Sequence, residues 1–189
     1  TFNILDVLVK APKLEIFRMG IRMKSVAQIS MLKHPVFKVK SLEKTHLSLF
    51  IYREITPASL NQILDLLQGI PSLYELSLDF YEYSFINDEL VKGMMDKISG
   101  GMVNLRKLRM RFNQNPVTNK DRYVSEKQVG RMIRSIFKMQ LLEELDLQLP
   151  PKGLDLARDD EDESLGEDIE GLPRLVKARL ALWGDRDSI

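Results

Sequence analysis

The charged residues of this chain recur at a spacing of two. Lys107, Arg109 and Arg111 alternate along "KLRMR", Glu75 and Asp79 lie in "ELSLD", Glu144 and Asp146 in "ELD", and Lys177 and Arg179 in "KAR". Residues two apart project from the same side of an extended strand, so each set offers its charges to one face. Strands carrying such sets side by side would make a surface of alternating sign, suited to ion pairing and to recognising a charged partner. Bond-making chemistry has much less support. His34 and His46 are the only histidines and there is no cysteine, too few nitrogen or sulfur ligands for a zinc site. Aligned as a calcium-binding loop from Asp160, "DDEDESLG" puts Leu165 where the turn needs glycine and Gly171 where the ion needs glutamate. Glu143 and Glu144 are neighbours on a predicted strand, point to opposite sides and cannot share a substrate. Phosphate-binding loops, dinucleotide fingerprints and nucleophile elbows are absent. The sequence therefore predicts no enzyme, no cofactor and no metal.

A second charged set has helical spacing. Lys127, Arg131, Arg134 and Lys138 follow i, i+4, i+7, i+11, which gathers four cations on one helix face. A solvated polar face accounts for them most simply. The competing uses are a dock for an acidic segment of the chain and an anion or nucleic-acid patch. Nucleic acid is disfavoured, because no aromatic residues interleave with the cations and the net charge is only +1.

That small net charge conceals a division. Residues 159–170, "DDEDESLGEDIE", hold eight of the 27 acidic residues, so the remainder carries 28 basic against 19 acidic side chains. A basic body with an acidic insert at 157–170 is the expected organisation, on a single domain spanning 1–189. The 44% hydrophobic and 29% charged content is that of an ordinary globular protein, and no apolar run approaches the roughly 18 residues that span a bilayer. Absence of cysteine and of Asn-x-Ser/Thr acceptors leans towards an intracellular, reducing compartment, cytoplasmic or nuclear. The chain opens without methionine, directly in an apolar segment, and is expected to be a piece of a longer protein.

What must position the charges is a repeat. Leu73, Leu76 and Leu78 in "SLYELSL" have the spacing L-x-x-L-x-L, and so do Leu14, Phe17 and Met19, Leu105, Leu108 and Met110, and Leu142, Leu145 and Leu147. Degenerate copies are Leu42, Thr45 and Leu47, and Leu175, Ala178 and Leu180. The copies begin at 14, 42, 73, 105, 142 and 175, steps of 28 to 37 residues. Helical segments lie between them. Thr56-Pro57 opens one that carries Leu60, Ile63, Leu64 and Leu67 and ends at Gly69. Asn87 opens another with Leu90, Val91, Met94, Met95 and Ile98, followed by Gly100-Gly101. Ser125 and Gln128 form a capping box for a third, and 3–10 and 24–33 read as shorter helices. A unit of this size cannot bury its apolar side alone, but stacked units can.

These residues resemble the leucine-rich repeats, and the step lengths and full helices resemble the intracellular ribonuclease-inhibitor-like branch that includes F-box leucine-rich-repeat proteins. The resemblance implies an α/β solenoid, an irregular horseshoe of about six repeats with a parallel sheet on its concave side and helices on its convex side. It also implies a protein-interaction module, by preference the substrate-recognition part of an F-box-type ubiquitin ligase adaptor. Alternatives are the sensor domain of an intracellular nucleotide-binding immune receptor and a regulatory scaffold. The family places Asn or Cys eight residues after the first leucine. Here only Asn113 conforms, and Arg22, Phe50, Tyr81, Pro150 and Trp183 stand at the other places.

The repeat predicts parallel strands over 15–19, 44–48, 75–79, 107–111, 144–148 and 177–181. A register two residues later is open to the second strand, through Leu47 and Leu49. Strands about 4.8 Å apart would let Asp79 meet Arg111 and Asp146 meet Arg179. His46 is expected to be a plain exposed strand residue. The partner surface is expected at Lys107, Arg109 and Arg111, flanked by Glu75, Asp79, Glu144, Asp146 and Arg179, with Tyr74 and Tyr81 as apolar anchors for a protein partner bearing an acidic segment. No membrane and no small-molecule substrate are implied. Residues 157–168 are expected to be poorly ordered or to project from the rim, since the eight like charges of 159–170 repel and bury little. Deleting 159–168 should therefore leave the melting temperature within a few degrees of the parent. A fall of many degrees in thermal unfolding would make the insert structural.

Overall fold

Alternating apolar and polar residues build the strands, and helical returns separate the first five of them. The computed structural model describes residues 4–52, 54–81, 87–113, 126–148 and 174–181. Strands β1 (Ile16–Met23), β2 (Lys44–Tyr52), β3 (Leu73–Tyr81), β4 (Lys107–Asn113), β5 (Glu144–Gln148) and β6 (Lys177–Ala181) form one sheet in sequence order. Every neighbouring pair is parallel. Helix α1 (Ile4–Val9) precedes β1, and two 3-10 helices, Val26–Lys33 and Pro35–Lys38, link β1 to β2. Helices α2 (Pro57–Gln68), α3 (Asp88–Gly101) and α4 (Glu126–Phe137) fill the next three crossovers.

Helix boundaries follow local chemistry. Thr56 Oγ1 accepts from the Ser59 amide at 3.2 Å and Pro57 supplies a preset φ at the first helical position of α2. Asn87 Oδ1 accepts from the Leu90 amide at 2.9 Å to open α3. Gly100 and Gly101 do not follow α3, as the sequence suggests, but form its last turn. The glycine at 101 is required by a close approach. A Cβ there would lie 2.1 Å from Gln68 Nε2, and that amide donates to the Lys97 carbonyl at 2.8 Å, tying the end of α2 to α3. Segment 24–33 is helical but of the tighter 3-10 form. The capping residue Ser125 and the acidic insert 157–170 lie outside the described residues.

One core lies between the sheet and the helices. Leu47, Leu49 and Ile51 of β2, Leu76, Leu78 and Phe80 of β3, and Leu108, Met110 and Phe112 of β4 are buried in one cluster with Leu60, Ile63, Leu64 and Leu67 of α2 and Val91, Met94, Met95 and Ile98 of α3. Met132 and Ile136 bring α4 into the same cluster. Burying a side chain of this kind stabilises by roughly 1.5–3 kcal/mol. The rings of Phe80 and Phe112, register partners, stack at 4.9 Å.

The strands β1 to β4 run past their predicted ends at 19, 48, 79 and 111. Alternation simply continues there, with Ile21, Met23, Leu49, Ile51 and Phe80 all turned inward and buried. The register of β2 on β3 is also the later of the two open to it. Thr45 faces Leu73, but His46 faces Glu75, so Tyr74 is one residue too many and forms a bulge. Beyond it Leu47 meets Leu76, Leu49 meets Leu78 and Ile51 meets Phe80, three apolar layers in place of the two that the earlier register allows. Thr45, which would otherwise oppose Leu76, bonds instead to Ser72, Oγ1 to Oγ at 2.8 Å.

The two sides of the sheet should differ sharply in energetic weight. Phe80→Ala is expected to cost about 3–5 kcal/mol in denaturant unfolding, and outward Arg109→Ala less than about 0.5 kcal/mol. Comparable losses would mean that the inward and outward sides are misassigned.

Candidate interaction face

Register sorts the outward residues into rows that cross the strands. One row runs Arg18, His46, Glu75, Lys107, Glu144, Lys177. The next runs Gly20, Ser48, Ser77, Arg109, Asp146, Arg179, and a third Arg22, Phe50, Asp79, Arg111, Gln148. The sheet thus brings all the expected strand charges onto one face.

Its ion pairs differ from those expected. Lys107 pairs with Glu144, its register partner. Asp146 does not meet Arg179. Its Oδ2 accepts from Arg109 Nε and from Arg111 Nη2, each at 3.0 Å, and Arg179 is exposed without a partner among the described residues. Nor does Asp79 meet Arg111, although the two are in register. Asp79 is buried and accepts from Ser77 Oγ at 3.1 Å. Its carboxylate is held against its own strand by Ser77, while Asp146 accepts from two guanidinium groups at once.

The aromatic residues are also occupied. Tyr74, at the bulge, lies 5.5 Å from the His46 ring, has Lys44 Nζ 5.0 Å from its centroid, and donates from its hydroxyl to Glu143 Oε2 at 3.4 Å. Tyr81 stacks on Tyr52 at 5.4 Å and contacts Phe50 at 6.2 Å, with Lys24 Nζ 5.2 Å above the Tyr52 ring. Positions 50 and 81, where the family places loop residues, are therefore strand positions bearing a half-buried aromatic cluster. Phe50, Tyr52 and Lys24 were not singled out in the sequence. The signal was there in the alternation that continues past Ser48.

His46 is the larger departure from expectation. Its side chain is only 13% exposed, and Nδ1 bonds Glu75 Oε2 at 2.7 Å. A hydrogen must lie between those atoms, so Nδ1 donates. Nε2 is shielded from solvent and has no partner among the described residues. An unsatisfied buried group of this kind costs roughly 1–3 kcal/mol. Beside it is a hollow of about 450 Å³, lined by Arg18, Gly20, His46, Ser48 and Glu75. A smaller one of about 150 Å³ lies among Lys107, Arg109, Arg111, Glu144, Asp146 and Arg179.

The helical cations are less organised. Arg131 and Lys138 are exposed, Arg134 is half-buried and already engaged, and Lys138 lies one residue past α4. The Lys127 side chain is outside the described residues. Among the described residues, no group of three or more His, Asp or Glu could hold a metal ion, and no helix is long and apolar enough to cross a membrane. Glu143 and Glu144 have separate partners, Arg106 at 3.4 Å and Lys107. No protein-family model matches the chain, and no curated protein matches it.

The Lys107–Glu144 pair has a testable electrostatic signature. The hydrogen bond from Lys107 holds the Glu144 carboxyl below its usual range, and the same bond raises Lys107 above its own. A depressed carboxylate contributes stability above its unfolded pKa and loses it as pH falls through the folded value. A raised lysine contributes below its unfolded pKa and loses it only as pH rises through the folded value, so the pair is intact at neutral pH. An NMR titration of the Glu144 carboxyl should have its midpoint below the usual glutamate range, and Lys107→Met should move that midpoint up. An unchanged midpoint would show that the bond does not form in solution.

Proposed function

We propose that this chain is a protein-interaction module, a leucine-rich-repeat solenoid whose strand face receives the partner, and that it works inside the cell. The observation that carries the proposal is the set of outward rows. Six consecutive parallel strands hold polar, charged and aromatic side chains in register on one face, while the helices and the apolar core occupy the other. The alternating sequence copies each coincide with a strand, which supports one repeating unit per strand and a single domain over 1–189. The resemblance set out above assigns it the substrate-recognition role in an F-box-type ubiquitin ligase adaptor.

The central patch suits an acidic protein segment. Lys107, Arg109 and Arg111 are three cations paired with only two carboxylates, Glu144 and Asp146, in partly exposed contacts. Exposed pairs contribute about 0–1 kcal/mol each, so a partner's carboxylates exchange for them at small cost. Specificity then comes from where the charges stand and affinity from the aromatic cluster at Phe50, Tyr52 and Tyr81.

The absence of cysteine makes the test direct. Single-cysteine variants at Ser48 and Arg109 on the strand face, and at Asn61, Lys92 and Arg131 on the helices, can be labelled with a thiol-reactive crosslinker. Crosslinks to a bound partner should form from 48 and 109, and Arg109→Ala with Arg111→Ala should reduce capture while leaving the melting temperature unchanged. Crosslinks confined to 61, 92 and 131, with full capture by the double variant, would place the interface on the helices.

A further inference from the structure

The cations of the outward face fall into two groups. Those of β4 are spent on Glu144 and Asp146. Arg18 and Arg22 of β1 are exposed and have no partner among the described residues. Arg18 borders the hollow of about 450 Å³. That hollow opens over Gly20 and Ser48, small register partners on adjacent strands. Taller neighbours, Arg18, His46 and Glu75, line one side of it.

The polar groups around this hollow are unevenly used. Glu75 is committed to His46 Nδ1. The Ser48 hydroxyl and His46 Nε2 have no hydrogen-bond partner among the described residues, and the Arg18 guanidinium is free. The donors available are thus a guanidinium and a hydroxyl, and the one lining carboxylate already accepts from His46. A cationic side chain would meet Arg18 with no free carboxylate to receive it. An apolar one would cover a hydroxyl and a guanidinium without replacing their water.

We propose that the hollow over Gly20 and Ser48 receives a carboxylate side chain from an acidic partner segment, held by the Arg18 guanidinium and the Ser48 hydroxyl. The fork of an arginine matches a carboxylate in two parallel hydrogen bonds, and Ser48 completes the shell from the neighbouring strand. The His46–Glu75 pair forms the inner wall and fixes its depth. This rests on the interaction-module proposal and adds a second acid-binding position, on β1–β2, to the central patch on β4.

The test uses the full chain and a fluorescein-labelled octaglutamate peptide, with an octaglutamine peptide as control, read by fluorescence anisotropy. The glutamate peptide should bind and the glutamine peptide should not. Arg18→Ala and Gly20→Val should each weaken binding about tenfold, the scale of one charge-assisted, bidentate contact. Lys92→Ala, an exposed cation of α3 on the helix side, should leave it unchanged. Gly20→Val fills the hollow without touching a charge. Its Cβ would meet Phe50 Cε2 at 3.5 Å and the Ser48 carbonyl at 3.9 Å, ordinary contacts, so the fold is kept. If its melting temperature nevertheless falls, Ser48→Ala replaces it, with an expected weakening of about threefold. Failure of the glutamate peptide to bind, wild-type binding by Arg18→Ala, or loss on Lys92→Ala overturns the proposal. So does a phosphoserine peptide that binds where the glutamate peptide does not, which would assign the hollow to phosphate. If crosslinks map a partner to the strand face while Arg18→Ala binds the peptide normally, the hollow is excluded and the module proposal stands. If peptide binding follows Arg18 while every crosslink lies on the helices, the hollow stands and the module proposal falls.

Discussion

The register of β2 against β3 is the constraint on which the outward face depends. It is set from the other side of the sheet. Leu47 on Leu76, Leu49 on Leu78 and Ile51 on Phe80 stack three apolar layers into the core, and a slip of two residues would replace the first with Thr45 on Leu76. Each of those side chains is essentially buried, so losing a layer costs on the order of 1–3 kcal/mol. No contact on the outward face approaches that sum. The bulge at Tyr74 is the local adjustment that lets the core choose.

Three outward features follow from that choice. His46 comes opposite Glu75, and the two hydrogen-bond with the imidazole largely shielded from water. Ser48 comes opposite both Gly20 and Ser77, which opens the hollow across three strands. Tyr52 comes opposite Tyr81, which stacks the aromatic cluster at the ends of the strands. In the other register His46 would face Ser77 and Ser48 would face Asp79, and none of the three would exist. Core packing therefore decides recognition geometry at a distance, through backbone pairing alone.

How much of this was legible in the sequence differs by scale. Strand positions, parallel order and the inward and outward sides were readable, because a period of two and six spaced copies leave little choice. β5 and β6 have the predicted bounds, 144–148 and 177–181. The ends of β1 to β4 were not readable from the copies, because the leucine spacing is shorter than the apolar alternation that outlasts it. The ion pairs were least legible. Register correctly places Asp79 beside Arg111, but which carboxylate wins an arginine depends on side-chain reach and burial, and Asp146 outcompetes Asp79. Gly101 looked like a terminator and is a contact point for Gln68, a relation between residues 33 apart that no local pattern carries.

The register itself can be measured with one pair of cysteines in this cysteine-free chain. A disulfide needs Cα atoms within about 7 Å, a distance met by register partners on adjacent strands, about 4.8 Å apart, and exceeded by residues two positions out of step. In the Ser48→Cys, Ser77→Cys double variant, mild oxidation should close a disulfide within the folded protein, and the His46→Cys, Ser77→Cys variant should stay reduced. The opposite outcome, a closed 46–77 bridge and an open 48–77 pair, would put β2 two residues away and remove the hollow, the His46–Glu75 pair and the aromatic stack together.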